Sequence, residues 1–250
     1  MVIVRTAREI AKMMDACRIS ANALRVAGEY VKPGITTLEI DRKVREYIEK
    51  QGATPSFLGY GGFPASVCIS VNDVVIHGIP SKEQVLEEGD IVSVDVGAFY
   101  EGFHGDNAYT FACGKVSENA QKLMDATRIG LEKGIEAAIA GNRVGDIGNA
   151  VQTYVEARSY SVVRDFVGHG VGAKLHEDPS IPNFGKPGRG VRLLPGMTIA
   201  IEPMVCEGSY EVDVLEDDWT TVTVDGKLAA HYENTVAITP DGPKILTVPG

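Results

Sequence analysis

One stretch of this 250-residue chain occurs twice, and both copies place an acid where a β-strand should be apolar. Glu88 to Gly97 reads Glu-Gly-Asp-Ile-Val-Ser-Val-Asp-Val-Gly. Pro195 to Met204 reads Pro-Gly-Met-Thr-Ile-Ala-Ile-Glu-Pro-Met. Asp95 and Glu202 therefore each stand six positions past a glycine, Gly89 and Gly196. Each copy leads on to a second strand-like run with its own acid, Asp106-Asn107-Ala108-Tyr109-Thr110-Phe111 and Glu233-Asn234-Thr235-Val236-Ala237-Ile238. An ionised carboxylate in a low-dielectric interior is costly unless it is paired or coordinates a metal. A single such acid is more often a satisfied core carboxylate than a functional group. Four at paired positions of one duplicated framework point to a shared site.

The repeat extends into helical segments. Apolar spacing predicts an amphipathic helix from Thr6 to about Gly28, with Ile10, Met13, Met14, Cys17, Ala21 and Leu24 on one side. Its counterpart runs from Ser117 to about Ala140, with Leu123, Met124, Ala126, Ile129 and Ile135. Pro33 to Ile40 resembles Ala140 to Ile147, and each opens a second helix: Leu38, Ile40, Val44, Tyr47 and Ile48 in one half, Ile147, Ala150, Val151, Tyr154 and Val155 in the other. The order helix, helix, strands thus occurs twice. No Pro/Gly/Ser-rich linker separates the halves. The expectation is a single catalytic domain over 1–250, internally duplicated at roughly 1–113 and 114–250.

Composition narrows the function classes. With 44% hydrophobic and 23% charged residues the chain is of ordinary globular type. A formal charge of −10 argues against a nucleic-acid surface, which needs clustered Lys and Arg. No apolar run is long enough to cross a bilayer, and Arg5, Arg8, Glu9 and Lys12 interrupt any signal-peptide pattern, so a cytoplasmic chain without a membrane partner is expected. Cys17, Cys68, Cys113 and Cys206 stand singly, as reduced thiols do.

Histidines number five. His169 lies in Phe166-Val167-Gly168-His169-Gly170-Val171-Gly172, where it is the chemically active side chain among glycines. No GxGxxG spacing and no clear preceding strand support a phosphate-cradling loop. His176 follows seven positions later, and His77 closes the strand-like run Val74-Val75-Ile76. Taken alone, either is as readily structural as functional. Four carboxylates and an imidazole make an oxygen-rich ligand set. Two divalent cations would neutralise it, whereas one would leave two carboxylates repelling each other. The expectation is a dinuclear centre of Co, Mn, Fe or Zn, with ions roughly 3.5–4 Å apart delivering hydroxide for hydrolysis.

The series Asp95, Asp106, His169, Glu202 and Glu233, with FVGHGVG, DVGAFYEGFHGDNAYTF and HYENTVAIT around its members, resembles type I methionine aminopeptidases along essentially the whole chain. The resemblance implies the α+β pita-bread fold, two pseudo-twofold-related halves around a central antiparallel sheet. It also implies removal of the initiator methionine from nascent proteins whose second residue is small, by a metal-bridged hydroxide. Carried onto this sequence, it makes Asp106 and Glu233 bridging ligands, adds Asp95 to one metal's shell, and adds His169 with Glu202 to the other's. Glu202 becomes a proton shuttle, His176 a donor to the developing oxyanion, and His77 a contact of the scissile amide. The methionine pocket is then built from Phe57, Tyr60, Phe63, Cys68, His77 and Trp219. Phe57, Phe63 and Leu175 stand where many relatives carry cysteine, tyrosine and phenylalanine.

Implied partners are peptides with N-terminal methionine, with the ribosome a further candidate. A monomer is expected, because the duplication already supplies two halves. Three rivals remain at this stage: an Xaa-Pro-directed peptidase of the same fold, a non-catalytic peptide- or ribosome-binding module, and a dimetal phosphoesterase. The first usually brings a substantial N-terminal domain, the second usually loses ligands, and the third would show substrate-side Lys or Arg, of which only Lys174 stands out.

Overall fold

Each helix begins where a side chain can meet its unpaired amide groups. In the computed structural model, which describes residues 2–250, α1 (Ala7–Tyr30) and α2 (Thr37–Lys50) open with capping boxes, Thr6 with Glu9 and Thr36 with Glu39. Ser117 caps α3 (Glu118–Ala137) through the Ala120 amide, and Asp146 accepts the Arg143 amide at the start of α4 (Val144–Glu156). Helix α1 runs two residues past Gly28. Met14, placed by periodicity on its apolar side, is instead solvent-exposed.

The repeated segments share local backbone structure. Gly34 and Gly141 both take positive φ, 87° and 98°. The Gly34 amide donates to the Leu86 carbonyl at 2.8 Å and the Leu86 amide to Ile35 at 2.9 Å. Gly141 donates to Leu193 at 2.9 Å and Leu193 to Asn142 at 2.8 Å. Gly89 and Gly196 follow, at φ of 103° and 94°. A side chain at these turns would be strained in each copy.

The first half contributes β1 (Thr54–Pro55), β2 (Cys68–Val71), β3 (Val74–Ile76), β4 (Ile91–Tyr100) and β5 (Phe103–Ala112). After α3 and α4 come β6 (Ser161–Val162), β7 (Gly168–Gly170), β8 (Glu177–Ile181), β9 (Thr198–Ile201) and β10 (Met204–Cys206). The chain ends with β11 (Val212–Val214), β12 (Thr221–Thr223), β13 (Ala229–His231), β14 (Glu233–Thr239) and β15 (Gly242–Ile245). Nine strands form one sheet in the order β1-β4-β5-β14-β9-β7-β8, with β2 on β4 and β15 on β14. Its pairings are antiparallel, and β5 against β14 joins the two halves. Two small sheets, β13-β10-β6 and β11-β12-β3, sit beside it.

Each helix pair builds its own core. Helices α1 and α2 bury Leu24, Ile40 and Val44 with Val92, Val94 and Val96 of β4. Helices α3 and α4 bury Leu123, Ile147 and Val151 with Ile199 and Val236 of β9 and β14. Burying each such side chain contributes roughly 1.5–3 kcal/mol. Helix α1 lies hard against β5: a Cβ on Gly105 would stand 2.4 Å from the Cys17 Cα, so only glycine fits. The helices therefore cover one face of the central strands, while the opposite face of β4, β5 and β14 carries the acids. Among the described residues, no helix is long and apolar enough to cross a membrane.

Candidate metal centre

Strand register gathers the acids. Cys68, Asp95, Ala108 and Glu233 lie in one row across β2, β4, β5 and β14, since Cys68 pairs Asp95 and Ala108 pairs both Asp95 and Glu233. Residues in one row share a face, and Asp106, two positions before Ala108, points the same way. The sequence reading placed all four acids inside strands. The structure corrects this for one of them: Glu202 stands just past the end of β9, where Pro203 has no amide to continue the ladder, whereas Glu233 is the first residue of β14. The glycine-flanked His169, read without a clear preceding strand, is itself the centre of the short strand β7, which pairs with β8 and β9.

Asp106, His169 and Glu233 each offer a ligand atom within 4.8 Å of the others. Asp95 and Glu202 fall outside that tight triad but line the same cavity of about 160 Å³. His169 Nε2 stands 3.3 Å from Glu202 Oε1 and 3.8 Å from Asp106 Oδ2. Its Nδ1 lies 2.9 Å from the Gly170 carbonyl oxygen, which can only accept, so Nδ1 carries the hydrogen and Nε2 presents a lone pair to the acids.

The charges here are unstable without a counterion. Burial and mutual repulsion push Asp106, Glu202 and Glu233 far above the usual carboxylate range, and burial pushes Asp95 up to about 7. Asp95 as a residue is partly exposed, yet its Oδ1 is sealed from solvent, and the sealed atom governs the charge. Burial drives His169 down to about 3, so its ring is neutral. One oxygen of each acid, Asp95 Oδ1, Asp106 Oδ1, Glu202 Oε1 and Glu233 Oε1, is buried with no hydrogen-bond partner. Orphaned buried oxygens beside an imidazole lone pair fit divalent cations in both donor type and charge.

The other wall of the cavity is apolar and aromatic: Phe57, Phe63, Cys68, Leu175 and Trp219, with Tyr60, His77 and His176 at its polar edge. Gly97, opposite Asp106, makes room for Phe57, whose Cε1 lies 2.7 Å from where a Cβ would be. Asp41 of α2 accepts the Ser66 and Val67 amides at 2.8 and 3.2 Å and so pins the segment leading into Cys68. Trp219 packs edge-on to Phe63 and to His77, with centroids at 5.1 and 6.1 Å. His176 is exposed, its Nδ1 2.7 Å from the Tyr60 hydroxyl and its ring 4.2 Å from that of His169. Burial lowers both His77, to about 4, and His176. Every residue singled out from the sequence for this site therefore borders one cavity.

Sequence reasoning passed over His231. It is buried on β13 with Nε2 3.9 Å from Glu202 Oε2 and no hydrogen-bond partner for that nitrogen. Its signal was its position two residues before Glu233. A larger groove of about 440 Å³, between α1 and α3 on the opposite face of the sheet, is lined by Leu24, Tyr109, Phe111 and Leu131, without a comparable cluster of acids.

Residues 11–240 match metallopeptidase family M24. A methionine aminopeptidase of Clostridium perfringens is 57% identical over 248 residues, 99% of each chain. The crystal structure of a methionine aminopeptidase from Thermotoga maritima superposes with a TM-score of 0.97 at 49% identity, covering 99% of both chains. A prolidase from Pyrococcus horikoshii superposes at 0.81 with 24% identity, over 100% of this chain and 65% of the other, a likeness of fold.

Proposed function

The chain belongs to metallopeptidase family M24 and, within it, to the methionine aminopeptidases, and from that premise we propose how its residues release an N-terminal methionine. It has the pita-bread fold of that family and uses divalent metal. Asp95, Asp106, His169, Glu202 and Glu233 hold the metal, and four carboxylate charges in one pocket call for two ions. Asp106 and Glu233 would be shared between the two, Asp95 would belong with one, and His169 with Glu202 would belong with the other. Ions bound there supply Lewis acidity, polarising the scissile carbonyl and acidifying the attacking water.

The remaining chemistry belongs to side chains. Glu202, which stands just past the end of β9 beside His169 and His231, takes a proton during attack and returns it to the leaving amine. His176 Nδ1 lies 2.7 Å from the Tyr60 hydroxyl, and with that hydroxyl as donor His176 keeps its hydrogen on Nε2, a neutral donor for the oxygen that gains charge in the transition state. His77, held neutral, contacts the scissile amide. The methionine side chain occupies the wall of Phe57, Phe63, Cys68, Leu175 and Trp219, where a thioether meets apolar and sulfur-tolerant surface. Substrates are N-terminal methionine peptides of nascent proteins with a small second residue.

One observation carries this reading: orphaned carboxylate oxygens and a lone-pair-bearing imidazole converge on one side of a cavity whose other side suits a single apolar side chain. The test is release of methionine from Met-Ala-Ser, and of the first residue from Xaa-Pro peptides, by chelated protein with Co²⁺, Mn²⁺, Fe²⁺ or Zn²⁺ added back. Metal-dependent cleavage of Met-Ala-Ser supports the reading and ranks the metals. Cleavage only before proline, or none with any ion, overturns it.

A further inference from the structure

We propose that Arg5, at the start of the described chain, is a positioning residue for His176, an inference that rests on the role given to His176 above. Arg5 directly precedes the cap of α1, yet it is buried. Its Nη2 donates to Glu177 Oε2 at 2.5 Å, with both side chains only 3% exposed. Its Nη1 donates to Thr198 Oγ1 at 2.8 Å, and its backbone amide to the Gly196 carbonyl at 2.8 Å. Thr198 passes the connection on by donating to the Val171 carbonyl at 2.6 Å, and Glu177 Oε1 accepts the Lys174 amide at 3.0 Å. At Gly172 a Cβ would fall 1.8 Å from Arg5 Nη2, so the guanidinium underlies that turn directly.

The segment from Val171 to Glu177 is therefore fastened at Val171, at Lys174 and at Glu177 to one buried cation. His176 is the residue before Glu177, and its own ring is exposed. Tyr60 holds one ring nitrogen; the backbone that carries the ring is set by the Arg5 network. A buried ion pair of this kind returns little net stability, because desolvation offsets its attraction. What it does supply is direction: the planar fork engages Glu177 and Thr198 along fixed lines. Without the guanidinium, Glu177 is a buried unpaired carboxylate beside His176, and relieving it moves the backbone of His176. Misplacing a catalytic group by about 1 Å can cost about a hundredfold in rate.

The test is a double-mutant cycle in the metal-reconstituted full chain, with Met-Ala-Ser as substrate. Arg5→Met should lower kcat roughly ten- to a hundredfold, with KM and metal content nearly unchanged, and Arg5→Lys should restore part of the loss. In a His176→Ala background Arg5→Met should cost less than about twofold further, because the group it positions is gone. Hydrogen exchange should quicken at amides 172–177 more than elsewhere. Should Arg5→Met fail to fold, Glu177→Gln carries the same cycle. A loss of equal size in both backgrounds, or unchanged kcat in Arg5→Met, overturns the proposal and leaves Arg5 a stability element. Full activity in His176→Ala, or no methionine release by the unmodified chain, overturns the reading of the site itself and this inference with it.

Discussion

Removing metal from this protein should make its stability fall, relative to the metal-loaded form, as pH rises from 6.5 to 7.5. The four site acids have folded-state pKa values raised above their unfolded values, Asp95 to about 7 and the other three well above the usual carboxylate range. Such groups favour the folded state when protonated. Their contribution is present below the unfolded value near 4 and is lost as pH rises through the folded one. The histidines act in the opposite sense. His169 and His231 are lowered to about 3 and His77 to about 4, so their contribution is present above the unfolded 6.5 and lost as pH falls through 4 to 3. An unfolded histidine is still about half charged at pH 6.5 and about a tenth charged at 7.5, so the lowered histidines, His104 and His176 among them, oppose the acids across this window; they do so with and without metal, and the difference between the two forms isolates the acids.

Each proton that the folded, metal-free chain holds in excess of the unfolded chain makes stability fall by about 1.4 kcal/mol per pH unit. One such proton makes the slope in chelator about 1.4 kcal/mol per pH unit more negative than the slope with metal. For a chain of this length that is at least about 3 °C in Tm. The assay is calorimetric melting in chelator at pH 6.5, 7.0 and 7.5, repeated with saturating Mn²⁺; the buried thiols keep the upper limit below pH 8. Metal-loaded protein should melt higher and lack the acids' fall, since ligation holds the carboxylates ionised and releases their protons. The same slope with and without metal would refute the account of the four acids as a charge cluster awaiting cations.

Three further outcomes follow from single positions. His176→Ala should lower kcat by about 10²–10³ with bound metal unchanged, checked by steady-state kinetics and metal analysis; loss of metal would show it to be a ligand. Asp41→Ala strips the partners from the Ser66 and Val67 amides and should cost about 2–4 kcal/mol in denaturant unfolding, and a loss under about 0.5 kcal/mol would mean the segment repairs itself. Gly105→Ala drives a methyl into the backbone of α1 at Cys17 and should cost about 3 kcal/mol or more, read from the same unfolding curves.

The acids were legible because a carboxylate interrupting an apolar run is costly, and because the duplication showed the cost being met twice. The helix starts were legible from Thr6, Thr36 and Ser117, whose short hydroxyl side chains serve the first turn. Periodicity misplaced Met14, since a helical stripe marks which residues share a side but not how far the sheet beneath extends. His231 went unread because a histidine beside apolar residues on a strand looks like core; only its approach to Glu202 distinguishes it. Arg5 carries no local signature at all, as its partner Glu177 is 172 positions away. The apolar wall came from the family resemblance, because Phe57, Tyr60, Phe63 and Trp219 sit in turns whose mutual approach no periodicity encodes.

The two copies of the repeat differ in what surrounds their acids. In the first copy β4 runs unbroken through Asp95 and turns tightly into β5, so both acids stay within one hairpin. In the second, β9 stops at Ile201, Pro203 cannot extend the ladder, and the chain leaves before returning at Glu233. The inserted segment supplies β12, which pairs with β3 and sets Trp219 beside His77, and β13, which brings His231 toward Glu202. Glu202, outside a regular strand, stands between His169 and His231, whose Nε2 atoms lie 3.3 and 3.9 Å from its two oxygens. The duplication thus accounts for the paired acids, and the break in its second copy accounts for the different surroundings of Glu202 and Asp95.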